Sequence, residues 1–274
     1  MKKKMIIPFL IILTLGVYSI LIEPRIIFTK HFVLKEHVQL KQKIKIIQFS
    51  DTHLKSKDDL VTLKKVALKI NNMQPDFVVF TGDLISDIRK FSYKNEVINI
   101  LTSIKAKRGK LAIYGNHDHG GYFTEEYVDV LTKSNFILLQ NKEKTYYVHK
   151  QKISFIGLDD YMLGNKNYKS ILQTIQKNAF TIVLAHEPDT ASITENYPIQ
   201  LQLSGHSHGG QIYFPFFHQI FMPPYAKKYN RGKYILSNKT NTTLLVSNGI
   251  GTTKLPIRFF TPPEIIEIEI KKST

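Results

Sequence analysis

Ile44-Lys45-Ile46-Ile47-Gln48-Phe49-Ser50-Asp51-Thr52-His53 runs from apolar, β-branched residues into an acid and an imidazole. The arrangement returns at Phe77-Val78-Val79-Phe80-Thr81-Gly82-Asp83 and at Leu111-Ala112-Ile113-Tyr114-Gly115-Asn116-His117-Asp118. In the second half, Ile182-Val183-Leu184-Ala185-His186 and Leu201-Gln202-Leu203-Ser204-Gly205-His206-Ser207-His208 repeat it. Short apolar runs bounded by turn residues read as buried strands. A strand that ends in a polar turn delivers side chains to the carboxyl edge of a sheet, where open α/β sheets build their sites. The repetition of that placement, more than any single motif, is the informative feature.

Working outward, the first half reads as βαβαβ: strands Ile44 to Ser50, Asp76 to Thr81 and Lys110 to Tyr114, with helices near Asp58 to Asn72 and Tyr93 to Ile104. Leu60, Leu63, Val66, Ala67 and Ile70 recur on one helical face, so the first helix should pack on the sheet. Short connections imply parallel strands. The second half predicts a helix near Thr124 to Ser134 and strands around Phe136 to Leu139, Thr145 to His149 and Ile153 to Leu158. A helix near Lys169 to Lys177 and a strand Thr181 to Ala185 follow. The closing strands, Lys233 to Leu236, Thr243 to Ser247 and Ile265 to Ile270, read as antiparallel additions. The fold class is therefore α/β: two mixed sheets packed face to face, helices outside, motif loops converging at one edge.

The amino terminus is of a different kind. Lys2-Lys3-Lys4 precede an uncharged run, Met5 to Ile22, near the lower limit of about 17 to 25 residues for a membrane span. The run ends Tyr18-Ser19-Ile20-Leu21-Ile22-Glu23-Pro24, without the small residues of a cleavage site, so it reads as an uncleaved single-pass anchor. The expected organisation is an anchor over 1–22, a juxtamembrane connector over 23–43 that can add an edge strand, and one catalytic domain over 44–274. The leading lysines place the catalytic domain outside the cytoplasm, although Arg25, Lys30 and Lys35 follow the span closely. Because no candidate ligand precedes Ile44, the domain is expected to fold and act on small soluble esters after removal of residues 1 to about 25.

Composition narrows the function classes. A chain that is 43% hydrophobic and 22% charged is not a disordered one. Zero cysteines exclude thiolate metal ligands and a cysteine nucleophile, and fit an exported or a cytosolic protein equally. Of the net charge of +16, residues 1 to 43 carry eight Lys or Arg against two Glu, which leaves a surplus of ten for the remainder. Such a surface attracts polyanions in general, such as phospholipid headgroups or a phosphorylated substrate. No clustered basic helix accompanies it, which argues against nucleic acid.

The motif residues suit two adjacent cations. Two ions about 3.5 to 4 Å apart clamp the oxygens of an in-line phosphoryl displacement and hold a hydroxide between them. That geometry needs a bridging carboxylate, for which Asp83 is the candidate. Asp51 and His53, two apart in a segment read as extended, would share a face and grip one ion; His206 and His208 repeat the spacing. Oxygen and nitrogen donors without sulfur suit Mn, Zn or Fe better than Mg or Ca.

The order Asp-x-His, Gly-Asp, Gly-Asn-His-Asp, His, Gly-His-x-His resembles that of the calcineurin-like metallophosphoesterases, from Ile44 to the end of the chain. The resemblance implies Asp51, His53, Asp83 and His208 at one metal and Asp83, Asn116, His186 and His206 at the other. It implies that His117 faces substrate and assists the leaving oxygen, and that Asp118 orients loop or imidazole. The tail after His208, with Gly249-Ile250-Gly251 and Leu255-Pro256-Ile257-Arg258 downstream, is similar to a membrane-anchored bacterial branch that includes enzymes like UDP-2,3-diacylglucosamine pyrophosphatase. The expected activity is hydrolysis of a phosphodiester or pyrophosphate in a phosphorylated, amphiphilic substrate. A nuclease, a cyclic-nucleotide phosphodiesterase and an inactive binding scaffold on the same fold are the alternatives. After Asp83 the chain lacks the arginine-bearing sequence of serine/threonine phosphoprotein phosphatases, and no tyrosine stands where purple acid phosphatases carry theirs. His31, His37, His149 and His218 have no partner motif, and His119 reads as a loop residue. Asp159 and Asp160 read as turn formers with a secondary claim to supporting the site. The proline-broken stretch Phe214 to Tyr225 is a candidate for lying against a bilayer or accepting a lipid chain, with core packing as the plain alternative.

Overall fold

The structure, a computed structural model, describes residues 2–36, 43–119, 124–214, 218–219 and 222–273. Helix α1 (Lys2–Val17) runs through a π-helical turn, Tyr18–Ile22, and a 3-10 turn, Glu23–Arg25, into strand β1 (Phe28–Glu36). Next come β2 (Ile44–Phe49), α2 (Asp59–Met73), β3 (Phe77–Phe80), α3 (Lys94–Ser103), β4 (Gly109–Ala112), α4 (Asn116–His119), α5 (Thr124–Lys133) and β5 (Ile137–Leu138). The second half holds β6 (Lys142–Val148), β7 (Gln151–Gly157), α6 (Tyr168–Leu172), β8 (Phe180–Leu184), α7 (Ala191–Thr194) and β9 (Leu201–Ser204). It closes with β10 (Tyr213–Phe214), β11 (His218–Gln219), β12 (Gly232–Ile235), β13 (Thr243–Val246) and β14 (Glu264–Lys272).

Two six-stranded mixed sheets result, ordered β1-β14-β2-β3-β4-β5 and β12-β13-β9-β8-β7-β6. Strands β2 to β5 are parallel, as are β7, β8, β9 and β13. Ile46, Phe77 and Leu111 of the first sheet meet Phe155, Ile182 and Leu203 of the second in the central core. The other face of the first sheet, Ile47, Val78 and Phe80, packs on Leu63, Val66 and Ile70 of α2 and Val97 and Leu101 of α3. The other face of the second sheet meets Tyr168 and Leu172 of α6. Both faces of each central strand are buried, which is why these strands read as unbroken apolar runs.

Residues 28–36, within the connector read as able to add an edge strand, form β1 at the edge of the first sheet and pair along their whole length with β14. Two expectations change. Of the closing strands, β13 pairs parallel with β9 and antiparallel with β12, and β14 pairs antiparallel with β2 and parallel with β1. The helix expected to reach Lys177 stops at Leu172, where the buried Tyr168 ring and Leu172 have covered the sheet.

Residues Ile7–Arg25 form a helical stretch of mean hydropathy 1.9 that is only 11% buried, long and apolar enough by composition to cross a membrane. Thr14 and Ser19 donate their hydroxyls to the carbonyls of Leu10 and Gly16, so the run leaves those groups paired. The stretch is not detached. Glu23 is buried at 1% exposure, and its carboxylate accepts the backbone N–H of Phe260 (3.0 Å) and of Thr261 (2.7 Å). Cutting near residue 25 would therefore remove a buried hydrogen-bond partner of residues 260 and 261. Of the stretch Phe214 to Tyr225, residues 215–217, 220 and 221 lie outside the described residues; Phe214 packs on Phe259, and Pro224 belongs to the site below.

Candidate metal centre

Each motif leaves the carboxyl end of a parallel strand: Asp51 and His53 after β2, Asp83 after β3, Asn116 to Asp118 after β4, His186 after β8, His206 and His208 after β9. The loops after β2 and β3 are stitched together by Asp51 N–H to Gly82 O (2.9 Å) and His53 N–H to Asp83 O (3.1 Å). Asp51, His53, Asp83, His206 and His208 all have positive φ, between 43° and 65°. The segment is thus not extended. Left-handed residues turn consecutive side chains inward, a conformation costing on the order of 1–3 kcal/mol each that persists where the surroundings impose it. Glycine leaves room for this: a Cβ on Gly115 would meet Asp83 Oδ1 at 2.3 Å, and one on Gly205 would meet Asp51 Oδ2 at the same distance.

Donor atoms gather in three overlapping groups, each within 4.8 Å: Asp51, His53 and His208; Asp51, Asp83 and His186; and His53, Asp83 and His117. His53 Nε2 lies 3.0 Å from His208 Nε2 and 3.3 Å from Asp83 Oδ2. His186 Nε2 lies 3.3 Å from Asp83 Oδ2 and 4.0 Å from Asp51 Oδ1. Asp51 thus lies near both sets, where the resemblance implied only Asp83 would bridge. His206 stands outside these groups; its Nε2 meets Pro224 O at 2.8 Å, which leaves Nδ1 for the site, and its ring centre is 5.0 Å from that of His186. Asn116 lines the same cavity.

His186 Nδ1 lies 2.7 Å from Thr81 O and donates to it, so a neutral ring turns a bare lone pair towards Asp83. Asn116 Oδ1, His186 Nε2 and His208 Nδ1 are buried without hydrogen-bond partners. Acceptors packed against acceptors need a proton or a cation between them. Burial pushes His53 down to about 3 and His206 to about 4, the neutral form in which imidazole ligates. Burial also acts to raise Asp83, but His186 beside it outweighs that and holds the carboxyl well below its usual range. Burial would lower His186 as well; Asp83 and Asp51 reverse it and push that imidazole well above its ordinary value. The donor set fits divalent cations, which would take the place of that shared proton.

The catalytic assignments divide. His117 donates its backbone N–H to Asp83 Oδ1 (2.8 Å) and pairs Nδ1 with Ser86 O (3.0 Å), which leaves Nε2 as the available nitrogen of a ring that lines the cavity. Asp118 is not among the cavity-lining residues; it accepts the backbone N–H of Asp83 (2.7 Å), Leu84 (3.1 Å) and Gly115 (2.9 Å) and so fixes two ligand loops. It is a positioning group, since these hydrogen bonds hold the backbone of both loops. His119 pairs with Asp159 Oδ1 at 2.6 Å and stacks on Tyr114, and Asp159 also ties down the turn through the N–H of Asn165. Sequence reasoning missed Glu187, which follows His186 and accepts the N–H of Tyr161 and Met162; burial pushes it up to about 8. Arg258, named only as part of the tail motif, is fully buried, and its guanidinium donates to the carbonyls of Gly251, Thr261 and Asn248 behind Asp51.

Above the cluster lies a cavity of about 320 Å³ whose wall combines His53, Asp83 and His117 with Met162, Ile212 and Leu255.

The family model described as calcineurin-like phosphoesterase matches residues 44–210. The uncharacterized metallophosphoesterase YkuE of Bacillus subtilis is 42% identical over 259 residues, spanning 93% of this chain and 90% of its own. UDP-2,3-diacylglucosamine pyrophosphatase LpxG of Chlamydia muridarum is 28% identical, spanning 81% and 82%. Among solved structures, NAD nucleotidase of Haemophilus influenzae aligns with a TM-score of 0.53 at 13% identity, over 76% of this chain and 46% of its own, a likeness of fold.

Proposed function

The chain belongs to the calcineurin-like phosphoesterase family of hydrolases, and from that premise we propose that it cleaves a phosphodiester or pyrophosphate bond in an amphiphilic substrate, as an enzyme anchored in a membrane by its first helix. The observation that carries the reading is the cavity itself, in which a cluster of acids and imidazoles adjoins apolar walls. A phosphoryl group suits the cluster; an acyl or other apolar group suits Met162, Ile212 and Leu255.

Asp51, His53, Asp83, Asn116, His186, His206 and His208 would hold two divalent cations. When bound, those cations supply Lewis-acid polarisation of phosphoryl oxygens and acidify water. The chain's own residues do the rest. Asp118 and Thr81 O hold Asp83 and His186 in place before substrate arrives. His117, with Nδ1 committed to Ser86 O, carries a proton on Nε2 in its charged form and gives it to the leaving oxygen as the bond to phosphorus breaks. Similarity to LpxG supports a lipid-like pyrophosphate as one substrate class. The lysines before the helix favour a catalytic domain outside the cytoplasm.

The test uses full-length protein in detergent, stripped with chelator and reloaded with Mn, Zn or Mg. Expected is Mn- or Zn-dependent hydrolysis of a soluble diester, with a higher kcat/KM for an acylated nucleotide-sugar pyrophosphate. Full activity in chelator, or preference for simple monoesters over both, overturns the reading.

A further inference from the structure

The end of the apolar helix meets the catalytic domain at one loop. Ser19 O accepts the N–H of Arg258 (3.0 Å), and Glu23 accepts those of Phe260 and Thr261. On one side of this loop, Thr252 and Pro256 face Ile20, Pro24 and Arg25 across a cavity of about 230 Å³. On the other, Thr253, Lys254 and Leu255 wall the cavity above the metal cluster. Residues 252–256 thus stand between the helix exit and the candidate active site, and His53 lines both cavities.

Leu255 is 56% exposed and Phe260 54%; Ile22 and Ile26, on either side of Glu23, are exposed as well, and Phe260 is bonded to Glu23. An isolated exposed leucine needs no explanation; exposed apolar residues on a loop bonded to the end of a membrane-length helix do. We propose that residues 252–260 form an interfacial segment seated in the bilayer surface beside the helix, so that the mouth of the metal-site cavity lies at headgroup depth. The inference rests on the anchoring reading above. Its occupant is the lipid surface, because geometry leaves little choice. Phe260 and Thr261 bond directly to the residue after Ile22, so the loop sits within about one helical turn, ~5 Å, of the apolar run. The headgroup zone on each side of a bilayer is about that deep or slightly deeper, roughly 5–8 Å. With the helix spanning, the loop has to lie in that zone. An amphiphile would then present its phosphoester to the cluster with its acyl part still in lipid.

The chain contains no tryptophan, so single-tryptophan variants report without background. Full-length Leu255→Trp, Phe260→Trp, Leu21→Trp on the helix and Tyr147→Trp are reconstituted in phosphatidylcholine–phosphatidylglycerol vesicles. Tyr147 is 69% exposed on β6, the outer strand of the second sheet. Lipids with brominated acyl chains serve as quenchers, and all four sites are exposed enough to accept the ring. The proposal expects blue-shifted emission and loss of intensity for the two loop probes and the helix probe, with Tyr147→Trp unaffected. Quenching at Leu21→Trp with water-like, unquenched emission at both loop probes overturns the proposal and leaves the anchor standing. No quenching at Leu21→Trp removes the anchoring reading itself, and the proposal with it. Blue-shifted but unquenched loop probes would seat the surface on a second copy of the chain and also overturn it.

Discussion

Two buried charged regions lie back to back in this molecule, and they are built on opposite plans. At the strand edge, Asp51, Asp83, His53, His186 and His208 set acceptors against acceptors at 3.0 to 4.0 Å. A few residues behind Asp51, Arg258 donates to Gly251 O at 3.1 Å, Thr261 O at 2.7 Å and Asn248 O at 2.9 Å, and both oxygens of Glu23 accept N–H groups. The first region is incomplete without a positive partner from outside; the second satisfies itself. Incomplete polar clusters are costly to the fold and useful to chemistry, whereas closed ones specify structure. Substitutions in the first should therefore change metal content and rate more than stability, and those in the second the reverse.

The sharpest way to break that contrast is Asp83→Asn. The amide can donate to the Nε2 of a neutral His186 in place of the proton that Asp83 and His186 share without metal, so the metal-free protein should stay close to the parent in thermal melting. Two-metal occupancy should fall, and activity with it by roughly 10³-fold, the scale of a lost metal clamp worth several kcal/mol. Retained stoichiometric metal with a marked loss of metal-free stability would reverse the assignment. His117→Ala comes next: turnover should drop about 10²–10⁴-fold, most for poor leaving groups, with metal content nearly intact. Elemental analysis showing an emptied site would make His117 a ligand, a role its place in the group with His53 and Asp83 makes worth testing.

At the closed region, Glu23→Ala should act in the opposite sense. The buried N–H of Thr261 loses its acceptor, at about 1–3 kcal/mol, and the part-buried N–H of Phe260 loses its own at a lower cost, so denaturant unfolding should show a loss on the order of 1–4 kcal/mol. Metal stoichiometry below the melting temperature should hold. Removal of residues 1–25 should show the same loss, and unchanged stability of that truncation would restore the simple tether.

How much of this was legible divides along the same line. The ligand loops announce themselves because a strand buried on both faces must be apolar and its polar turn must follow at once, so Phe77 to Asp83 or Leu201 to His208 carries fold and chemistry in one stretch. What fails is whatever depends on distant partners. Thr243 to Val246 is buried throughout and reads the same in either direction, so its parallel pairing with β9 leaves no local mark. Positive φ at Asp51 and His53 comes from the neighbouring loop after β3, not from their own types. Glu23 looks like the polar stop after an apolar run; its partners stand 237 and 238 positions away.

The smallest expected effect lies at the margin between the two plans, in Glu264. Its carboxylate is 2% exposed, accepts the backbone N–H of Asn248 at 3.0 Å and its Nδ2 at 3.1 Å, and has Lys30 at 3.8 Å. Burial raises it above the ordinary 4.5 against the pull of those contacts and of Arg258. A raised folded value means the folded state holds the proton more tightly than the unfolded chain. The stabilisation is therefore fully present below 4.5 and lost as pH rises through the folded value, so near neutrality the ionised group weighs against the fold. Glu264→Gln removes that dependence. Asn248 Oδ1, now buried and unpaired, can turn to accept from the new amide, so the contacts survive the exchange. Near neutral pH the variant should lie within about 1 kcal/mol of the parent by denaturant unfolding. As pH is lowered towards 4.5 the parent should gain on it, because only the parent takes up the proton. A difference between the two that stays constant over that window would place Glu264 among the fully compensated charges, with Glu23 and Arg258, and move the boundary between the regions to the ligand loops themselves.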